Sequence, residues 1–94
     1  MRRAAKVDSN QKEIVAALRN NGAVVFHLHT IKNLFDLLVA HNGNVYCVEV
    51  KDGNLPPSKR KLTTGELECK QRLESVGVKY HIVNSVAEAL ELIK

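Results

Sequence analysis

The sequence predicts an α/β domain in the order αβββαβα, with a mixed central sheet flanked by helices. Three observations carry this expectation. Two apolar runs, 34–41 and 44–51, flank Asn42-Gly43, the strongest short-range hairpin signal a sequence offers. Apolar residues recur at helical spacing towards both ends of the chain, at Ile14, Ala17 and Leu18 and again at Val86, Ala89, Leu90 and Ile93. Two further β-rich runs, 23–29 and 78–83, lie on either side of the hairpin, the second beyond a helical stretch.

Each element has its own start and stop signals. Asp8 followed by Gln11 resembles a capping box opening the first helix, which Gly22 closes. Residues 30–33 connect the first strand to the hairpin, and 52–61, with Gly53 and Pro56-Pro57, form a loop. Thr63 or Thr64 caps a second helix that runs through Val76 and ends at Gly77. Ser85-Val86-Ala87-Glu88 is a capping box for the last helix. Residues 1–7 read as a flexible basic arm and 8–94 as one domain without internal repeats.

Composition narrows the function classes. A chain of 94 residues with 45% hydrophobic content has enough apolar material for a single core. No apolar run approaches the ~20 residues of a membrane span, and the N-terminus lacks the apolar stretch of a signal peptide. The expectation is a cytoplasmic protein with no membrane partner. Cys47 and Cys69 form neither a disulfide framework nor a metal motif and read as small buried hydrophobes. The net charge is +4, with basic residues gathered in Arg2, Arg3 and Lys6 of the arm and in Lys59-Arg60-Lys61 of the loop. Both groups are candidate phosphate contacts for a polyanionic partner. Two Phe, two Tyr and no Trp leave little for a base-stacking platform, which argues against a dedicated single-strand binder.

The chemistry gathers at the base of the hairpin. A two-residue turn pairs His41 with Asn44, and stepping back pairs Leu38 with Cys47, Leu37 with Val48 and Asp36 with Glu49. Lys51, two residues beyond Glu49, shares its face. Carboxylates directly opposite one another repel, so a pair kept in an apolar hairpin calls for a cation between them. Mg²⁺ favours one or two carboxylates plus water and substrate phosphate. Asp36, Glu49 and the Val50 carbonyl are the candidate ligands, and Lys51 the candidate for orienting water or stabilising developing charge. Glu13, on the edge of the first helix's apolar stripe, and Glu66, one turn before Cys69, are candidate outer acids. Glu66 has three available roles: metal contact through water, pairing with Lys51, or a simple helix cap near the favourable end of the dipole. His27 and His29 share a strand face, but no third zinc ligand stands at suitable spacing, so they read as structural or substrate-contacting histidines.

An acidic residue in the second strand, then Glu49-Val50-Lys51 in the third, within this element order, resembles the PD-(D/E)XK nuclease superfamily. More narrowly, the chain resembles the compact VRR-NUC domains (virus-type replication-repair nucleases), including free-standing phage and bacterial members. The likeness runs from about Gln11 to Ile93. It covers Glu13, Leu34-Phe35-Asp36-Leu37-Leu38-Val39, Glu49-Val50-Lys51, Leu62-Thr63-Thr64, Gly77 and the Ser85 helix. The resemblance implies a restriction-endonuclease-like core and Mg²⁺- or Mn²⁺-dependent cleavage of branched or structured DNA. It also implies a homodimer acting on four-way (Holliday) junctions, in a bacterial or phage-infected cell, with Glu13 reaching the metal directly or through water. Two departures stand out. Lys32-Asn33-Leu34-Phe35-Asp36 replaces the family's Gly-x-Pro-Asp, and Glu66 occupies the slot of its helix-two Gln, with Gln71 five residues later. The rival expectations are a less selective flap, duplex-end or restriction-like nuclease, and a nucleic-acid-binding module without turnover.

Overall fold

The computed structural model describes residues 9–94. The basic arm with Arg2, Arg3 and Lys6, and the Asp8 half of the first expected capping box, lie outside them. The elements are α1 (Gln11–Asn20), β1 (Val24–His27), β2 (Leu37–His41), β3 (Asn44–Val50), α2 (Thr64–Ser75), β4 (Tyr80–Val83) and α3 (Val86–Leu92), with one 3-10 turn at Pro57–Lys59 inside the expected loop. The expected order αβββαβα is therefore the observed one.

The four strands lie in sequence order. β1, β2 and β3 pair antiparallel, and β3 pairs parallel with β4 through the α2 crossover, which makes the sheet mixed. The hairpin register is the one counted from the sequence, with His41 opposite Asn44, Leu38 opposite Cys47 and Leu37 opposite Val48. Asn42 and Gly43 both have positive φ, 49° and 80°, the backbone of a type I′ turn, whose twist matches that of the flanking strands.

Alternation along the strands sorts the molecule into layers. Leu37, Val39, Val48 and Val50 project to one face, where they pack with Ile14, Val15 and Leu18 of α1 and with Ala89 and Ile93 near the α3 end. Burial of the Val, Leu and Ile side chains among these contributes about 1.5–3 kcal/mol each to folding. Asp36 and Glu49, one position out of phase, face the other way, towards α2. No residue of α2 is fully buried. Along α2 Cys69 and Leu73 are half-buried, but Val76, at its C-cap, is 76% exposed because the helix ends in solvent there. Cys47 and Cys69 are free and half-buried rather than fully buried, and burial pushes both thiols up in pKa, the neighbouring Cys69 adding to the shift at Cys47 and Glu49 to that at Cys69.

Several boundaries shift, each for a local reason. The N-cap of α1 is Asn10, whose side chain makes no cap bond; its amide instead donates to the carbonyls of Lys51 (3.1 Å) and Asn84 (3.0 Å), tying the helix start to the ends of β3 and β4. The ladder of β1 stops at His27, but Leu28 N–H still donates to the Asp36 carbonyl at 2.8 Å. Ser85 caps α3 by accepting from Glu88 N–H, whereas the Glu88 carboxylate accepts from the Asn84 backbone and amide instead of closing the box on Ser85. Among the described residues no helix is long and apolar enough to cross a membrane.

Candidate active site

The site sits where β2 begins and β3 ends. The Leu37–Val48 pairing brings Asp36 beside Glu49 one step further on. Asp36 Oδ2 accepts the Val50 N–H at 2.9 Å, so its carboxylate closes the last rung of the β2–β3 ladder in place of a backbone carbonyl. In a strand the N–H and C=O of one residue point to the same side, so the Val50 carbonyl projects towards Asp36. Both carboxylates line a cavity of about 180 Å³ with His29, the 31–35 connection, Thr63 and Glu66.

Glu49 is the buried member, only 3% exposed. Its Oε1 accepts from the Tyr80 hydroxyl at 3.2 Å, and its Oε2 lies 3.6 Å from the Lys51 ammonium. Burial, the Asp36 charge and a hydrogen bond to Glu66 push its carboxyl up to about 9, against a smaller opposing pull from Lys51. Burial, followed by the Glu49 charge, raises Tyr80 as well, so its hydroxyl stays a donor. A buried acid that holds its proton at neutral pH beside other carboxylates is an arrangement short of positive charge.

Glu66 takes two of the roles open to it at once. Its Oε1 accepts the Thr63 N–H at 2.9 Å while Thr63 Oγ1 accepts the Glu66 N–H at 3.2 Å, a complete capping box for α2. The same Oε1 lies 2.8 Å from Lys51 Nζ. Burial alone would raise the Glu66 carboxyl, but the bonds from Lys51, Thr63 and protonated Glu49 together hold it below the ordinary value. The helix cap thus anchors the lysine beside the buried acid.

The donor chemistry suits a hard divalent ion. Two carboxylates line a polar cavity, and Mg²⁺ asks for only one or two of them beside water and substrate phosphate. Among the described residues no three His, Cys, Asp or Glu side chains form a ready-made cation cage.

Glu13 does not join this group. It is exposed, and it lines a different cavity with Asn10, Asp52, Arg60 and the 84–88 segment. The cause is layering: α1 packs on the sheet face opposite the one that carries Asp36 and Glu49. Of the basic loop, Arg60 lines that second cavity too, with its Nε buried and without a partner among the described residues, while Lys59 and Lys61 are exposed.

No family model matches the sequence, and no curated protein matches it. In three dimensions, a solved structure described as a VRR_NUC domain aligns with 89% of this chain and 94% of its own, at a TM-score of 0.64 and 23% sequence identity. The chain has the VRR-NUC fold. The expected likeness of element order to VRR-NUC domains is thus a likeness of fold. Glu66, the residue expected in place of a Gln, serves as helix cap and lysine partner together. The missing Gly-x-Pro segment is replaced by Lys32-Asn33-Leu34-Phe35, with Asn33 at φ 60°. Sequence reasoning missed one participant. Tyr80 reaches Glu49 because β4 lies parallel to β3 with Tyr80 opposite Cys47, a register no local signal encodes. His29, expected as a structural or substrate-contacting residue, lines the carboxylate cavity.

Proposed function

We propose that this chain is a divalent-metal-dependent, structure-specific DNA endonuclease that hydrolyses phosphodiester bonds, with Asp36, Glu49 and Lys51 at its centre. The observation that carries the reading is the convergence of Asp36 and Glu49 on one cavity while Glu66 draws Lys51 alongside. Binding alone needs no clustered carboxylates, and a carboxyl held up to about 9 is an unfavourable thing to keep unless a cation compensates it. Mg²⁺, or Mn²⁺ in its place, held by Asp36, Glu49 and the Val50 carbonyl, would neutralise phosphate charge and acidify a water.

The protein's own residues supply the rest. Glu49 gives up the proton it holds against Glu66 on ionising, and the carboxylates then accept charge-assisted bonds from an incoming water. Lys51, held against Glu49 and Glu66, is a compact cation for the attacking water or the developing charge on phosphorus. Lys59 and Lys61, with Arg2, Arg3 and Lys6, supply phosphate contacts without sequence readout. Four-way junctions are the proposed substrate. One site cuts one strand, so symmetrical resolution needs two sites and a two-fold homodimer is the simplest assembly.

Cleavage assays with Mg²⁺ on a four-way junction, a flap and a linear duplex of the same sequence test this. Paired nicks across the junction support the reading. Equal cutting of all three shifts it to a less selective nuclease, and no cleavage of any DNA with Mg²⁺ or Mn²⁺ removes the enzyme. Light scattering after size exclusion tests the dimer.

A further inference from the structure

Beside the carboxylate cavity lies a second recess, of about 350 Å³, between α1 and the end of β1. Its walls are Val15, Ala16, His27 and His29, its rim carries Lys12 and Arg19, and Gln11 completes the lining. Gln11 is 2% exposed, yet neither its amide nitrogen nor its amide oxygen has a partner among the described residues. Leaving a buried amide unsatisfied is costly, and an apolar residue of the same size would avoid that cost. The Nδ1 of His29 is likewise buried and without a partner. His29 lines both cavities, so the recess and the carboxylate cavity meet at this side chain across the sheet edge.

We propose that this recess receives an unpaired nucleobase, that of the nucleotide adjoining the bond to be cut. The chemistry of the walls fits that ligand class. An amide offers a donor and an acceptor side by side, the complement of a base edge. Val15 and Ala16 provide an apolar wall for the π-face. The imidazoles of His27 and His29, edge to face with centroids 5.8 Å apart, form a ring corner. Arg19, fixed by its 2.8 Å bond from Nη2 to the Val25 carbonyl, and Lys12 stand at the rim for the phosphate that such a nucleotide carries. The inference rests on the nuclease reading for its position next to the scissile bond. It also names what makes a substrate suitable: DNA in which a base leaves the stack at the point of cutting, as at junctions, flaps and mismatches.

The test separates the recess from the nuclease. A single deoxynucleoside monophosphate, dAMP, is titrated without metal into the isotopically labelled protein while the Gln11 side-chain amide and the His29 ring are followed by NMR. Saturable shifts at both are expected at millimolar dAMP. The variant Gln11→Leu is expected to fold, to melt at a higher temperature than the native chain and to bind dAMP about tenfold more weakly. Absence of shifts at Gln11 and His29, or unchanged dAMP binding by Gln11→Leu, would overturn the proposal. So would a lower melting temperature, since it would mean that the amide serves the fold. If DNA is cut but dAMP does not enter, the nuclease stands and the recess falls; if dAMP enters but no DNA is cut, the reverse holds. With cleavable DNA, an abasic nucleotide at one position beside the cut should slow the native protein and leave Gln11→Leu unaffected.

Discussion

The Asp36 carboxylate accepts the Val50 backbone N–H at 2.9 Å, standing in for the next carbonyl of the β2 strand. The side chain therefore finishes the sheet and opens the site in one stroke. Asp36→Asn keeps an acceptor oxygen and the shape but loses the charge, whereas Asp36→Ala leaves the Val50 N–H without its acceptor. Asp36→Asn is expected to melt within a few degrees of the native chain and to lose at least about a hundredfold in DNA cleavage. Asp36→Ala is expected to be inactive and also less stable by about 1–2 kcal/mol, measured by urea denaturation. Full cleavage by Asp36→Asn would remove Asp36 from the metal site.

Glu49 should make the metal-free protein less stable in base. Its folded value, about 9, stands above the ordinary 4.5, so the folded protein holds one more proton than the unfolded chain between those limits. Stability from this group is complete below 4.5 and is lost as pH rises towards 9, by at most about 1.4 kcal/mol per pH unit. Glu66 has the opposite sign, because its lowered carboxyl loses stability only as pH falls below the ordinary range. Melting curves in chelator between these limits should therefore fall with pH for the native chain and flatten for Glu49→Gln. At neutral pH Glu49→Gln should be more stable by on the order of 1–3 kcal/mol while losing cleavage. A Glu49→Gln protein that is less stable at every pH would contradict the buried proton.

How much of this was legible in the sequence follows from how local each signal is. The Asn42-Gly43 turn fixes the register over a few residues, and that register carries Asp36 to Glu49 without help from the rest of the fold. The Thr63 and Ser85 caps are equally local. Glu13 went astray because a residue's place on a helix stripe says nothing about which face of the sheet the helix will cover. Here α1 takes the face of Leu37 and Val48, away from the acids. Tyr80 was invisible for a related reason: a parallel partner is set by the crossover through α2, not by a turn. The buried, unpartnered Gln11 looked like a helix-start residue, because burial of a polar side chain depends on packing that a sequence pattern does not weigh.

Glu66 carries two functions that two substitutions can separate. Glu66→Gln retains an oxygen for the Thr63 N–H but surrenders the charge that faces Lys51; Glu66→Ala surrenders both. The cap should cost about 1 kcal/mol when lost, so Glu66→Ala is expected to melt lower and Glu66→Gln to stay near native. In cleavage both should fall, through a loosened Lys51, by about tenfold, with the pH optimum moved as Glu49 loses the carboxylate that its proton bridges. Native cleavage and an unmoved pH profile in Glu66→Gln would reduce Glu66 to a cap.

Gly65 is the point at which the connection before β2 leans on α2. A Cβ built at this position would collide with the Asn33 side-chain oxygen and Cγ, and Asn33 itself sits at φ 60°. The 31–35 connection and Thr63, which flanks Gly65 at the helix start, both line the carboxylate cavity. Gly65→Ala therefore forces Asn33 to move and shifts one wall of the site. An alanine in the first turn of a helix would otherwise favour folding by up to about 1 kcal/mol. The expected result is the reverse: a protein less stable by about 1–3 kcal/mol, with cleavage reduced. Removing the obstruction in the double variant Gly65→Ala with Asn33→Gly should recover most of the stability, since glycine also accepts the positive φ at position 33. A coupling energy near zero in that double-mutant cycle, measured by denaturant unfolding, would show that the two residues do not press on each other.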